Sequence, residues 1–194
     1  MARLDDLTTL VRESYDAKNP TRADWADWLA ENHVFVVADK AQLLAQRFGA
    51  NAELAQAASM LHDVADTRIH RFDDRHESLS LELARDFLQR TDFLPEEVSL
   101  IVDDAIRYHS CHDGNAPQSL EGKVLAAADA LAHIQTNFYV YGAWAMGKEG
   151  VLLNDTKEWA LKKLDRDFNN KILFPEVREE CRADYQHLKF MFSL

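Results

Sequence analysis

Hydrophobic positions recur at steps of three and four residues along most of this chain, the spacing that places them on one face of an α-helix. The first such stretch lies within residues 21–50 and ends at Gly49, a typical helix-ending residue. Its apolar face is formed by Trp25, Leu29, Val36, Val37, Leu44 and Phe48. A second helix is predicted over residues 51–65, with an apolar face formed by Leu54, Ala58, Leu61 and Ala65.

Helical spacing continues beyond residue 65, interrupted by segments whose composition is typical of loops. Residues 66–78 are polar and aperiodic, and residues 110–119 are rich in Gly, Asn, Pro and Ser. Further helices are predicted at residues 79–90, from Pro95 to Ile106, at residues 120–146 with a break near Asn137, and near residues 155–169 and 175–192. No linker or internal repeat is visible, so we predict one all-α domain, a helical bundle over residues 1–194.

Composition and charge narrow the classes of partner. The chain is 47% hydrophobic and 28% charged, and its 6 Gly and 4 Pro are too few for many short strands and turns. Its 33 acidic and 22 basic residues give a net charge of −11, so nucleic-acid polymers and anionic membranes are not expected partners. A small phosphorylated substrate would need local cations to offset this field.

The redox compartment and location follow from a few further features. Cys111 and Cys181 are too few to form a disulfide framework. The first residues lack the apolar core of a signal peptide, and no apolar run approaches membrane length. We therefore expect a cytoplasmic protein.

Four helical segments turn imidazole or carboxylate groups toward the predicted core. His33 and His62 each lie four residues from apolar positions of their helices. His109 follows the apolar face of the helix that begins at Pro95, and Asp129 lies in the sequence AADAL. Burying such groups costs free energy unless something pairs with them.

The residues alone allow two interpretations of these groups. Each imidazole could be a hydrogen-bonded structural group, and each carboxylate could cap a helix or pair with an arginine. A shared divalent cation would satisfy all of them at once, because neutral imidazole and carboxylate are the usual ligands of such ions. Asp63, about 100° further round the helix than His62, is a candidate member of the same set. We favour the interpretation in which these groups bind a shared divalent cation.

A second His-Asp pair provides a contrast. His112 and Asp113 lie in the polar loop at residues 110–119, where we expect them to be exposed or to cap a helix. His109, Cys111 and His112 are close enough in sequence to suggest a zinc site. Without a distant cysteine partner, that signal is weak.

The ordered set of His33, the His62–Asp63 doublet and Asp129 resembles the HD superfamily of metal-dependent phosphohydrolases. The resemblance covers about residues 25–135, and residues 136–194 add C-terminal helices that are similar to a smaller set of uncharacterised bacterial HD hydrolases. It implies an all-helical bundle in which these four side chains bind a divalent metal. Fe, Mn, Mg, Zn, Co and Ni are all compatible with such ligands.

Two further histidines match positions that bind a second ion in some branches of the family. His76 opens the helix after the doublet, and His109 lies in the segment AIRYHS, so the resemblance implies one or two ions with Asp63 as the bridge. Many members continue the doublet as HDxxK, but Asp66 takes the place of that lysine here. We interpret Asp66 as a catalytic residue that positions or deprotonates a water; the alternative is an exposed acid. His76 or His109 would otherwise protonate the leaving oxygen.

The resemblance implies a metal-dependent hydrolase of the phosphomonoesterase or phosphodiesterase class. Its substrate would be a small phosphate ester or anhydride, with nucleotides among the candidates. Candidate phosphate contacts, which are more often simply solvated, are Arg68, Arg71, Arg75 and Arg107. Two alternatives stay open: a di-iron oxygenase on the same fold, and a non-catalytic nucleotide-binding regulatory module.

Overall fold

The computed structural model describes residues 2–194, and all regular structure within that range is helical. The α-helices are α1 (Ala2–Asp16), α2 (Ala26–Leu29), α3 (Phe35–Phe48), α4 (Ala52–Leu61), α5 (His76–Arg90), α6 (Pro95–Ser99), α7 (Leu120–Gln135), α8 (Phe138–Lys148), α9 (Leu153–Arg166), α10 (Pro175–Glu180) and α11 (Arg182–Ser193). Single 3₁₀ turns span Val64–Thr67 and His112–Gly114. The all-α class predicted from the sequence is confirmed.

Three π-helical turns widen the helices where polar side chains enter the interior. They span Ala30–Val34, Leu100–Ile106 and Asp167–Lys171. A π-turn places an extra residue in a helical turn and is frequent at functional sites. These turns carry His33 and Lys171, and one of them ends at Ile106, three residues before His109.

The core forms where α3, α4 and α7 pack against one another. The central helix is α7, in which every residue from Val124 to Ile134 is buried. Five alanines in that stretch let the neighbouring helices approach closely. The same core cluster continues past residue 135 to Tyr139, Leu164 and Ile172, so the C-terminal helices share one core with the rest of the chain.

Helix ends follow signals that the sequence carries. Asn51 caps α4, and its side chain accepts a hydrogen bond from the Glu53 backbone N–H at 3.0 Å. Ser119 caps α7 by accepting from the Gly122 N–H, also at 3.0 Å. Gly49 ends α3 in the left-handed conformation, with φ of 77°.

Helix boundaries differ from the sequence prediction beside the His-Asp doublet and at Cys181, which separates α10 from α11 where one helix is predicted near residues 175–192. Helix α4 ends at Leu61 rather than at residue 65, because Asp63 leaves helical backbone geometry (φ −127°, ψ 28°). Helix α5 begins at His76, three residues earlier than predicted. The predicted break near Asn137 is confirmed and separates α7 from α8. Because α4 stops early, the His-Asp doublet lies at the end of a helix instead of inside one.

Helix α1 has no counterpart in the sequence prediction. It buries Leu7 and Val11 against the core. Arg3 joins it to two other helices through ion pairs of 2.7 Å with Glu53 and 2.6 Å with Glu97. This bridge fixes α1 against α4 and α6.

The two cysteines are buried free thiols. Burial raises the pKa of the Cys181 thiol to about 11, and it also raises the pKa of Cys111. Both side chains therefore act as small apolar groups. In the part of the chain that the structure describes, no helix combines the length and apolar character needed to cross a lipid bilayer.

Gly122 sets the distance between α7 and the π-turn at Leu100–Ile106. A Cβ atom added at Gly122 would lie 2.5 Å from the Cβ of Pro117 and 3.0 Å from the Cα of Ala105. The second contact is with backbone, so relief would require the helices to move apart. The missing side chain is what allows α7 to lie this close.

We predict that Gly122→Ala lowers the free energy of unfolding by about 1–3 kcal/mol, the usual cost of overpacking. Gly147→Ala is the matched control, because a Cβ there meets nothing within 4 Å in helix α8. Since alanine favours a helix over glycine, the control should be neutral or more stable by up to about 1 kcal/mol. Urea unfolding of the two variants checks this, and equal effects would contradict the close approach.

Candidate metal centre

Four residues predicted from the sequence meet in the middle of the bundle. The Nε2 atom of His33 lies 3.2 Å from Asp129 Oδ1, and the Nε2 atom of His62 lies 3.8 Å from the same oxygen. The Nε2 atom of His62 is also 3.3 Å from Asp63 Oδ2. One donor atom from each of His33, His62 and Asp129 lies within 4.8 Å of the others. Donors at this spacing can share a single cation.

Several donor atoms at this centre are buried without a hydrogen-bond partner. Among the described residues, these include Oδ1 of Asp129 and the Nε2 atoms of His33, His62 and His133. An unpartnered buried polar atom costs about 1–3 kcal/mol, so a cluster of them requires a common partner. A divalent cation meets that requirement, because imidazole nitrogen and carboxylate oxygen are its usual ligands. The donor set fits a metal ion.

Backbone carbonyls orient two of the imidazoles. The Nδ1 atom of His62 lies 2.7 Å from the Ser59 carbonyl oxygen, and the Nδ1 atom of His109 lies 2.6 Å from that of Ile106. A carbonyl oxygen only accepts, so each Nδ1 carries a proton, and each Nε2 presents a lone pair when the ring is neutral. Such second contacts hold the ring of a metal-binding histidine in place.

His109 lies beside the doublet. Donor atoms of His62, Asp63 and His109 form a second group within 4.8 Å of one another. The rings of His62 and His109 meet edge to face, with centroids 5.1 Å apart. His62 belongs to both donor groups, so the two groups are adjacent.

His76 and Asp66 pair with each other at the edge of the centre. The Nε2 atom of His76 lies 2.9 Å from Asp66 Oδ1, and Arg71 donates to Asp66 Oδ2 at 2.6 Å. Arg71 also donates to Asp63 Oδ2 at 2.6 Å, which links the two carboxylates. Asp66 is 1% exposed, so the alternative of an exposed acid is wrong. Both of its oxygens are engaged, and in this arrangement it orients Arg71 and His76.

Burial sets the protonation of most histidines here. Burial lowers the pKa of His33, and it lowers the pKa of His109 to about 3. Both rings are therefore neutral at pH 7. His62 differs: burial opposes its charge, but the Asp63 and Asp129 carboxylates and the Ser59 carbonyl together outweigh burial and raise the pKa of His62.

The carboxylates stay ionised despite burial. Burial acts to raise the pKa of Asp129, but the His133 ring and the Lys171 ammonium group hold it well below its usual range. Burial likewise opposes the charge of Asp63, and Arg71 is the main group that lowers its pKa. Neutral imidazole beside ionised carboxylate is the form in which these side chains bind a metal.

His133 belongs to the centre, although it is absent from the set of site residues predicted from the sequence. Its ring stacks on that of His33 with centroids 4.8 Å apart, and its Nε2 lies 3.2 Å from Asp129 Oδ1. Its Nδ1 lies 2.9 Å from Asp167 Oδ2, and the Tyr139 hydroxyl donates to that oxygen at 2.7 Å. The spacing of four residues between Asp129 and His133 on one helix is a signal that would have found it.

Two lysines reach the centre from the C-terminal part of the chain. The Nζ atom of Lys171 donates to Asp129 Oδ2 and lies 3.9 Å from Asp167 Oδ1. The Nζ atom of Lys163 lies 3.4 Å from Asp167 Oδ2. Lys171 is buried and Lys163 is half-buried, and both charges are paired, as charges withdrawn from water must be. No local sequence pattern predicts the contact between Lys171 and Asp129, because the two residues are 42 positions apart.

A cavity of about 220 Å³ opens onto the centre, and its wall includes His62, Asp63, His109 and Asp129. Five basic side chains and three carboxylates line it, so its charge is opposite in sign to the net charge of −11. The basic residues are Arg71, Arg107, Lys163, Arg166 and Lys171. Such a wall provides the local cations that a phosphorylated substrate needs.

The second His-Asp pair lies outside the donor groups. His112 and Asp113 are both exposed, as predicted. The zinc alternative built from His109, Cys111 and His112 is not supported, because no donor group among residues 2–194 includes the cysteine. The Cys111 thiol instead donates to the His109 carbonyl oxygen at 3.7 Å.

Comparison with protein families gives one match. Residues 31–134 match the HD domain. This segment is more than half of the chain and contains every residue that the sequence analysis assigned to the site. It ends at residue 134 and so leaves out Asp167, Lys163 and Lys171.

The curated relatives include ribonucleases of much greater length. Ribonuclease Y of Symbiobacterium thermophilum is 30% identical over 101 residues, which are 52% of this chain and 17% of that protein. Ribonuclease Y of Thermus thermophilus is 34% identical over 100 residues, which are 52% of this chain and 16% of that protein. This chain therefore spans less than a fifth of these relatives.

Solved structures match over nearly the whole chain. An HD-superfamily hydrolase from Bacillus thuringiensis aligns with a TM-score of 0.67 and 20% identity, covering 98% of this chain and 93% of the other. A predicted HD-superfamily hydrolase from an uncultured Thermotogales bacterium aligns with a TM-score of 0.55 and 22% identity, covering 97% of this chain and 88% of the other. At these identities the likeness shows the fold, including the C-terminal helices.

We predict that Asp167→Ala lowers the free energy of unfolding by about 3–5 kcal/mol, because it leaves buried partners of the carboxylate without their acceptor. Asp165→Ala is the matched control, since that carboxylate is 45% exposed and pairs with Lys189. Its loss should cost about 1 kcal/mol or less. Denaturant unfolding of both variants measures the difference, and a small effect of Asp167→Ala would contradict the buried network.

Proposed function

This chain belongs to the HD-domain family, and from that premise we propose that it is a metal-dependent phosphohydrolase acting on a small phosphate ester or anhydride. The observation that carries the proposal is the group of unpartnered buried donor atoms around Asp129 Oδ1. The basic wall of the adjoining cavity supports a phosphorylated substrate. Both features lie where a metal and a phosphate would have to meet.

We assign the ion to His33, His62, Asp63 and Asp129. His109 lies next to the doublet and is the candidate ligand for a second ion, with His76 nearby on the cavity wall. When bound, a divalent cation supplies Lewis acidity, which withdraws charge from phosphoryl oxygens and makes water more acidic. The metal chemistry is compatible with Fe, Mn, Mg, Zn, Co or Ni.

The residues of the chain supply orientation and proton transfer. Asp66 holds the Nε2 side of His76, an arrangement that positions an imidazole to exchange a proton with the leaving oxygen or a water. Arg71 bridges Asp63 and Asp66, so it fixes the spacing between the doublet and this imidazole. Removing Asp66, His76 or Arg71 would loosen the other two side chains of this group.

The size and charge of the site favour a small substrate over RNA. The cavity at the centre is about 220 Å³, and the chain has a net charge of −11 that repels a polyanion. The ribonuclease relatives share only the HD-domain segment with this chain. Their substrate is therefore not transferred to it.

We predict that His62→Ala and Asp63→Ala each remove bound metal and lower turnover by more than about 100-fold, since even outer contacts of a metal site cost 10–100-fold. Elemental analysis of the purified protein identifies the metal. A panel of phosphomonoesters, phosphodiesters and anhydrides with that metal measures turnover. Circular dichroism should show the helical fold retained in both variants.

The controls are His187→Ala, on the exposed surface of α11, and Asp113→Ala in the second His-Asp pair. Both should keep wild-type metal content and turnover. Full activity in His62→Ala or Asp63→Ala would refute the assignment. Bound iron with oxygen uptake and no hydrolysis would identify the oxygenase alternative, and nucleotide binding without turnover would identify the regulatory module.

A further inference from the structure

A second cavity, of about 500 Å³, lies beside the metal centre and has aromatic walls. Its aromatic lining residues are Trp25, Phe72, Phe138, Tyr141, Trp144 and Trp159. Five of these six residues lie outside residues 31–134, the segment that matches the HD domain. The family match therefore says nothing about what this aromatic cavity holds.

The aromatic cavity is preorganised and leaves ring surface open. Tyr141 stacks on Trp28 with centroids 4.1 Å apart and planes within 6°, which makes that wall rigid. Gly142 leaves room for Trp159, because a Cβ there would lie 2.8 Å from the indole. Trp144 is 54% exposed, and an indole kept in water at a cavity mouth offers a face to a planar ligand.

Three cations line both cavities: Arg71, Lys163 and Arg166. The Arg166 guanidinium lies 3.1 Å from the His112 ring and, within the described residues, has no carboxylate partner. Its Nε atom is buried without a hydrogen-bond partner. A half-buried guanidinium without a counter-ion is a site for an anion, and its planar fork suits phosphate.

Exposed hydrogen-bond acceptors also line the aromatic cavity. They are Asp24, His70 and Glu149, and donor or acceptor atoms of the three lie within 4.8 Å of one another. Carboxylates accept hydrogen bonds from N–H groups on the edge of a ring. A nucleobase with amino groups satisfies them, whereas a plain phenyl ring does not.

We propose that the aromatic cavity binds the base of a nucleotide whose phosphate lies among Arg71, Lys163 and Arg166 at the entrance to the metal centre. The order of groups matches that ligand: apolar ring surface, then cations, then metal donors. The enclosed volume suits a small molecule. This inference rests on the proposed phosphohydrolase function for what happens to the phosphate, but the binding itself does not require turnover.

The test measures equilibrium binding by calorimetry on the full chain in EDTA, so that no substrate is consumed. The probes are adenosine 5′-monophosphate, guanosine 5′-monophosphate and ribose 5-phosphate, which lacks a base. Trp144→Ala should weaken binding of both nucleotides by about tenfold or more, the usual effect of losing one stacking partner, and leave ribose 5-phosphate unchanged. Arg166→Ala should weaken all three probes.

Phe190→Ala is the matched control, because that ring is 64% exposed on α11 and does not line either cavity. It should bind all probes as the wild type does. Equal affinity for the nucleotides and ribose 5-phosphate, no effect of Trp144→Ala, or no nucleotide binding would overturn the inference. The inference would also be overturned if a short single-stranded RNA bound more tightly than the nucleotides and its affinity were unchanged in Trp144→Ala.

The two proposals fail in different ways. Nucleotide binding that depends on Trp144, together with no hydrolysis under any metal, would refute the proposed function and support this inference. Hydrolysis of phosphate esters without preference for a base would support the proposed function and refute this inference.

Discussion

An ionised carboxylate buried at the centre of the bundle is the constraint on which this structure depends. Asp129 lies on the most buried helix, where an unpaired charge would cost several kcal/mol. Lys171 neutralises one of its oxygens. The other oxygen faces the Nε2 atoms of His33, His62 and His133 and has no hydrogen-bond partner within the described residues. A bound cation would complete this arrangement. The stability of the fold and the candidate metal site therefore depend on the same buried charge.

The HD-domain segment and the C-terminal helices contribute different groups to the surroundings of Asp129. The segment that matches the HD domain supplies the donor atoms. The helices after it supply the buried ion pairs of Asp167 and the cations Lys163, Arg166 and Lys171 that face the cavity. A locally basic wall in an acidic protein concentrates phosphate at one place on the surface and repels it elsewhere. The C-terminal helices are thus part of the proposed active site as well as of the core.

Helical periodicity predicted the inward direction of His33, His62 and Asp129, because each shares a face with apolar neighbours on its own helix. It predicted the geometry of Asp63 less well. The helix opens after Leu61, so Asp63 turns toward Arg71 instead of continuing the helical register. The widened π-turns, which shift the register by an extra residue, also have no signature in a pattern of hydrophobic positions.

The sequence by itself determined the helical class, most helix positions and the identity of the side chains that are too polar for the faces they occupy. These are local properties, since a helical face is set by neighbours three and four residues away. Only the tertiary structure decided that Lys171 joins Asp129, that Asp66 pairs with His76, and that an aromatic cavity adjoins the cations. Such contacts join residues on different helices or on separate turns, and burial makes them strong by excluding the water that would otherwise compete for the same groups.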